Sequence, residues 1–215
     1  MTSCEQEDSK DFGNAVLYQN YMLTVSSNGE TVAYAAFSRE RNDFLKPVKL
    51  TGEQKISVNG KAMNYNTMDS YHMVSYIYSL KLENGTEEAE FSFVRFKDKT
   101  IKNKIKKDNS LAISLPAELE TLEAGKVVNW NGAVKAEDEK IEIVMVKENK
   151  KQYSEYFGEV TQDGKGFVFA KLPEEKGKFK LTVRRYKTVP TTQNDRTADG
   201  EMTLCYQDTK TINLK

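Results

Sequence analysis

Glycine-closed reversals, spread between runs of alternating apolar residues, constrain this chain more than any other feature. Asn28-Gly29, Asn59-Gly60, Asn84-Gly85 and Asn131-Gly132 recur along it, joined by Asp163-Gly164 and Asp199-Gly200. Such pairs supply the positive φ angles that tight primed turns need, and those turns match the twist of paired strands. Between them the side-chain period is two, so alternate residues point to opposite faces of a sheet. Tyr21, Leu23 and Val25 alternate with Met22 and Thr24 ahead of Asn28-Gly29, and Val32 to Phe37 returns as the partner strand. Ile56 and Val58 precede Asn59-Gly60, with Met63 and Tyr65 after it. His72, Val74, Tyr76, Tyr78, Leu80 and Leu82 share one face of a long predicted strand, answered by Ala89, Phe91 and Phe93.

The second half continues the pattern. Leu111, Ile113 and Leu115 predict a short strand stopped by Pro116, and Pro116 to Gly125 reads as a polar connection with room for one helical turn. Val127, Val128 and Trp130 follow, then Ile141, Ile143 and Met145. Tyr156 to Val160, Phe167 to Ala170, Phe179 to Val183 and Met202 to Leu214 complete the strands. No stretch keeps a helical period beyond about ten residues. Strands at roughly 8- to 12-residue intervals with turns between them predict a sandwich or barrel. A length of 215 residues suits two small β-domains, because a sandwich commonly takes about 100 residues. The 11 Tyr and 10 Phe supply bulk for thin cores, and only 4 Pro and 12 Gly argue against a disordered chain. The prediction is an all-β protein of two tandem antiparallel sandwiches. A leash at residues 1–11 leads to an N-terminal sandwich at 12–109 and a C-terminal one at 110–215, divided near Asp108-Asn109-Ser110.

At the N-terminus, Thr2-Ser3-Cys4 is followed by the charged run Glu5-Gln6-Glu7-Asp8-Ser9-Lys10. This resembles the end of a bacterial lipoprotein signal, where an aliphatic residue and two small residues precede the lipidated cysteine. Met1 stands in the aliphatic position, as a start residue in place of an apolar signal segment. The resemblance implies acylation of Cys4, a membrane link through its acyl chains, and a place in the bacterial cell envelope. The place the resemblance implies is the outer membrane, on its periplasmic or surface face. Two or more chains give stable anchoring.

A second resemblance covers residues 111–215. Leu122-Glu123-Ala124-Gly125-Lys126 leads to Trp130, and Leu172-Pro173-Glu174-Glu175-Lys176-Gly177 leads into Lys178-Phe179-Lys180-Leu181-Thr182-Val183-Arg184-Arg185. This is similar to immunoglobulin-like and fibronectin type III-like domains of bacterial surface proteins, which implies immunoglobulin-like sandwiches and a buried Trp130. The chain departs from that pattern in lacking an inter-sheet cysteine pair and in having Phe179 where a tyrosine is usual.

Charge and composition narrow the function classes. The 32 basic and 32 acidic residues cancel, whereas nucleic-acid binding draws on a positive excess; no nucleic-acid partner is expected. No apolar run approaches the roughly 18 residues of a membrane-spanning helix. One histidine and two cysteines are too few for a four-ligand zinc site, so neither metal nor cofactor is expected. His72 sits within a predicted strand without a marked nucleophile, and Cys205 reads as a buried small hydrophobe.

Two segments stand out as candidate binding surfaces. Lys102, Lys104 and Lys106 would share one strand face opposite Ile101 and Ile105. That ridge could meet anionic glycans or lipid headgroups, or simply blunt an exposed sheet edge. Lys187 to Gly200 is the longest turn-rich segment, and Asn194, Asp195, Arg196 and Asp199 could hydrogen-bond a sugar or peptide; the competing reading is a mobile hairpin tip. The aromatics Tyr71, Tyr76 and Tyr78 suit either a carbohydrate platform or core packing. The sequence therefore points to a non-catalytic, lipid-anchored envelope protein that presents sandwiches to a protein or glycan, in adhesion or assembly. An enzyme or enzyme-associated module with a site in the N-terminal domain, and a soluble small-ligand carrier, are the alternatives.

Overall fold

The structure, a computed structural model, describes residues 7–9, 15–40, 47–66, 78–97, 99–147 and 154–215. Regular structure here is β-strand, with 3-10 geometry at Asn109–Leu111 and no α-helix among the described residues. The strands of the first half are β1 (Glu7–Asp8), β2 (Tyr18–Ser26), β3 (Thr31–Ser38), β4 (Val48–Lys49), β5 (Lys55–Val58), β6 (Lys61–Ala62), β7 (Asn64–Tyr65), β8 (Tyr78–Lys81), β9 (Glu88–Phe96) and β10 (Lys99–Lys106). Those of the second half are β11 (Ile113–Ser114), β12 (Val128–Asn129), β13 (Asn131–Gly132), β14 (Glu139–Lys147), β15 (Glu155–Val160), β16 (Gly166–Val168), β17 (Gly177–Pro190) and β18 (Gly200–Leu214). The protein is all-β. Its sheets are mostly antiparallel, with β1 and β4 a parallel pair, and among the described residues no sheet closes into a barrel.

The chain divides into two compact units. The first comprises the described residues of Met1–Thr24, Glu30–Lys107 and Thr188–Leu204; the second those of Val25–Gly29, Asp108–Lys187 and Cys205–Lys215. In the first unit, one sheet runs β10-β9-β5-β6, and the order β18-β2-β3-β8-β7 forms another. Aromatic rings fill the space between them. Tyr21 stacks on Phe91 with centroids 4.7 Å apart, and Phe37 lies 4.6 Å from Phe93 and 6.0 Å edge-on from Tyr78. β9 shows the alternation expected of a strand with one covered face: Ala89, Phe91 and Phe93 are buried between half-exposed neighbours. β2 departs from that rule. Met22 and Thr24 are buried along with Tyr21 and Leu23, because this strand lies between β18 and β3 in its sheet and is covered on both faces.

In the second unit the sheet order is β12-β16-β15-β14-β17-β18, with β11 and β13 as a separate short pair. Its core takes Ile143, Met145, Phe167, Phe169, Phe179, Leu181 and Val183 from the sheet, with Leu111, Ile113, Leu115, Leu122 and Trp130. Residues 116–125 contain turns and no helix; Pro116 at the start and Gly125 at the end leave no run long enough to repay helix nucleation.

The reversals sort into two kinds. Asn59 and Gly60 have φ of 49° and 76°, the doubly positive pair of a type I′ hairpin between β5 and β6. Gly29, Gly85 and Gly164 also take positive φ in turns. Asn131-Gly132 and Asp199-Gly200 are not hairpin turns: the first pair forms β13 and Gly200 opens β18. A Cβ on Gly132 would stand 2.4 Å from the Ala112 carbonyl oxygen, and one on Gly200 would stand 2.3 Å from that of Gln19. These glycines permit close backbone approach.

Candidate functional site

In the first unit, the loop between β17 and β18 is tied down by buried polar groups. Asp195 is 1% exposed and its carboxylate accepts from Arg95 Nε at 2.9 Å and from the Leu17 backbone N–H at 3.0 Å. Lys99 adds a longer contact of 3.3 Å, and Arg95 Nη2 donates to the Ala15 carbonyl. The buried Asn103 of β10 performs a second fastening. Its Oδ1 accepts from the backbone N–H of Thr192 at 2.8 Å and of Gln193 at 3.1 Å, while its Nδ2 donates to the Gln193 carbonyl at 2.9 Å. Of the four predicted loop residues, Asn194 and Arg196 are exposed, Asp199 is half-exposed, and Asp195 is spent on the buried pair. Thr191 Oγ1 donates to Asn194 Oδ1, and the Arg196 guanidinium lies 5.8 Å from the Phe96 ring centre.

β10 places Lys102, Lys104 and Lys106 outward, with Ile101, Asn103 and Ile105 buried on the other face. The ridge is crossed by ion pairs to β9: Lys102 to Glu90 at 3.0 Å and Lys104 to Glu88 at 2.8 Å. β10 is the edge strand of its sheet, and lysines along such an edge oppose addition of a further strand. Tyr78 is buried, accepts from the Leu50 N–H at 2.7 Å and packs on Phe37 and Tyr65. Cys4, Tyr71, His72 and Tyr76 lie outside the described residues.

The second unit holds its own buried arginine. Arg185 donates to Glu139 Oε2 from Nε at 2.9 Å and Nη2 at 2.5 Å, and to the Ala133 and Val134 carbonyls. Its neighbour Arg184 points to the opposite face, as strand alternation requires. There Glu142 Oε2 accepts from Arg184 Nη1 at 2.6 Å and from the Tyr186 hydroxyl at 2.8 Å. Burial, with the Glu142 carboxylate adding to it, pushes the Tyr186 phenol far above its usual range, so it remains a donor at all ordinary pH. Arg184 Nε reaches Gln207 Oε1 at 3.5 Å, and Gln207 Nε2 donates to Ser26 Oγ at 3.2 Å. One row of polar side chains thus crosses β14, β17, β18 and β2.

A second row runs beside it. Val144 pairs in register with Phe157 on one side and Thr182 on the other, and the Thr182 and Thr209 hydroxyls are 2.9 Å apart. Val144 is 3% exposed, whereas Phe157 at 60% is the most exposed large hydrophobic residue among those described. Tyr156, one residue earlier, points inward and meets Phe179 edge-on at 6.2 Å. A shallow groove of about 560 Å³ follows this face, lined by Lys140, Ile141, Glu142, Phe157 and Tyr186 among others. A groove of about 710 Å³ along Pro116 to Asn131 is larger. It offers little ring surface, because Trp130 is 5% exposed and its indole N–H faces the Ala133 carbonyl at 3.4 Å. We take the open sheet face as the candidate site; nothing in the sequence distinguishes Phe157 from the core aromatics except its place in the alternation.

Among the described residues no three His, Cys, Asp or Glu side chains gather as a metal site, and no helix is long and apolar enough to cross a membrane. No family model matches the chain, and no curated protein is significantly similar to it.

Proposed function

We propose that this chain is a non-catalytic, lipid-anchored protein of the bacterial cell envelope whose β-sandwiches present a surface to a protein or glycan, in adhesion or assembly. The observation that carries the binding role is the open face of the second unit's sheet. An aromatic ring 60% exposed at Phe157 stands beside donors and acceptors already oriented by one another at Glu142, Arg184 and Tyr186. Groups fixed on rigid strands bind with little ordering cost, which is what a recognition surface needs. The anchoring role is supported by Cys4 and the charged residues that follow it.

Two measurements test the parts separately. Expression of the gene with its native start, followed by mass spectrometry, should find Cys4 acylated at the mature N-terminus; residues retained upstream of Cys4 would contradict anchoring. Envelope extract passed over the immobilised soluble chain should yield a bound component that the Phe157→Ala chain retains about tenfold less well, the loss expected from one aromatic contact. Equal retention by both chains would remove this face from the account.

A further inference from the structure

We infer that the open face of the second unit takes an uncharged glycan laid across the strands, a ligand class that rests on the binding role proposed above. The geometry of the two rows carries the inference. Glu142, Arg184, Gln207 and Ser26 form a continuous line of hydrogen-bonding groups over four strands. Phe157, Val144, Thr182 and Thr209 form the line beside it, exposed ring first. Neighbouring strands are about 4.8 Å apart, so the polar line offers a contact at each strand step, while the second line offers Phe157, Thr182 and Thr209 on either side of the buried Val144. A pyranose has the matching anatomy: a patch of C–H groups on the ring face and hydroxyls around the rim. The C–H patch fits the Phe157 ring, and the rim hydroxyls fit the alternating acceptors and donors of the polar row.

Charge selects among ligands. Glu142 and Arg184 neutralise each other, and the exposed Lys140, Lys178 and Lys180 on this face stand against the exposed Glu155 and Glu159 of β15. An anionic polymer therefore meets only a small positive surplus, short of the many cationic contacts that drive the binding of polyanions. A protein partner fits less well. Its interface core would desolvate the Glu142–Arg184 pair, which costs energy, around a single large exposed apolar group. A polyhydroxylated ligand instead keeps those charges hydrogen-bonded.

Affinity electrophoresis in native gels tests this. The full chain and its variants are run through gels holding dissolved hydroxyethylcellulose, xyloglucan, dextran or mannan, and through gels holding anionic polygalacturonate. The expected result is retardation in at least one neutral gel and none in polygalacturonate. Phe157→Ala should weaken binding about tenfold, Phe157→Tyr should preserve it, Gln207→Ala should weaken it, and Lys104→Ala should leave it unchanged. Since Phe157 is exposed, unchanged circular dichroism and melting of Phe157→Ala exclude a folding defect. Retardation in no neutral gel, retardation by polygalacturonate alone, or an unaffected Phe157→Ala chain overturns the inference. If Phe157→Ala still loses an envelope protein in the capture experiment, the binding role stands and only the glycan class falls. If it loses neither, both fall.

Discussion

Adjacent residues with opposite fates govern this molecule. Arg184 and Arg185 differ by one step along β17, yet one lies on the open face and the other is 1% exposed on a carboxylate. Tyr156 and Phe157 divide the same way. The sequence displays the alternation but not which phase faces the core, because both members of each pair are bulky or charged. Cys205 was legible as a buried thiol, since a short apolar side chain between strand residues has one natural place. The buried pairs were not legible, because Arg95 and Asp195 are 100 residues apart in sequence. Removing one partner of such a pair leaves an uncompensated charge, so Asp195→Ala should cost about 3–5 kcal/mol in urea unfolding. Replacing both, as Arg95→Met with Asp195→Leu, should cost less. Lys104→Ala, at an exposed pair on the β10 edge, should leave the urea midpoint unchanged; equal losses at Lys104 and Asp195 would refute this ranking.

At the scale of elements, turn chemistry predicted the reversal between β5 and β6 from Asn59-Gly60 alone. It failed at Asn131-Gly132 and Asp199-Gly200 for a physical reason: close backbone approach selects glycine as strongly as a positive φ does. The two causes separate by mutation. Gly29 has open space around it and φ of 87°, so Gly29→Ala should cost about 1–2 kcal/mol from left-handed strain. Gly200→Ala carries no left-handed strain but brings a Cβ to 2.3 Å from the Gln19 carbonyl oxygen, and should cost more and lower the yield of folded protein. Equal thermal shifts for the two variants would show that the approach of β18 to Gln19 is loose. The strand β18 matches its predicted run from Met202 to Leu214 to within two residues, whereas β17 extends well past Phe179 to Val183; there the Thr188 hydroxyl lies 2.9 Å from that of Thr203 on β18, a contact that continues the pairing where apolar residues stop.

For the molecule as a whole, buried phenols set an alkaline limit. Burial raises the Tyr78 phenol from 10.0 to about 12, and raises Tyr21 and Tyr186 further. A raised folded-state value means that folding favours the protonated form. Tyr78 therefore contributes full stability below pH 10 and loses it as pH climbs toward 12. Phenolate absorbance should show a group of tyrosines, Tyr21, Tyr78 and Tyr186, that ionises only as the β signal in circular dichroism collapses. A single class of tyrosines titrating near pH 10 with the fold intact would contradict the packing described for these rings. The central claim concerns the open face of the second unit, and amide chemical-shift mapping reaches it most directly. With isotopically labelled chain and fragments of the neutral polysaccharides named above, shifts should concentrate at Glu142, Val144, Phe157, Arg184, Tyr186 and Gln207. Shifts centred on Lys102 to Lys106 or on Asn194 to Asp199, with that face silent, would contradict it.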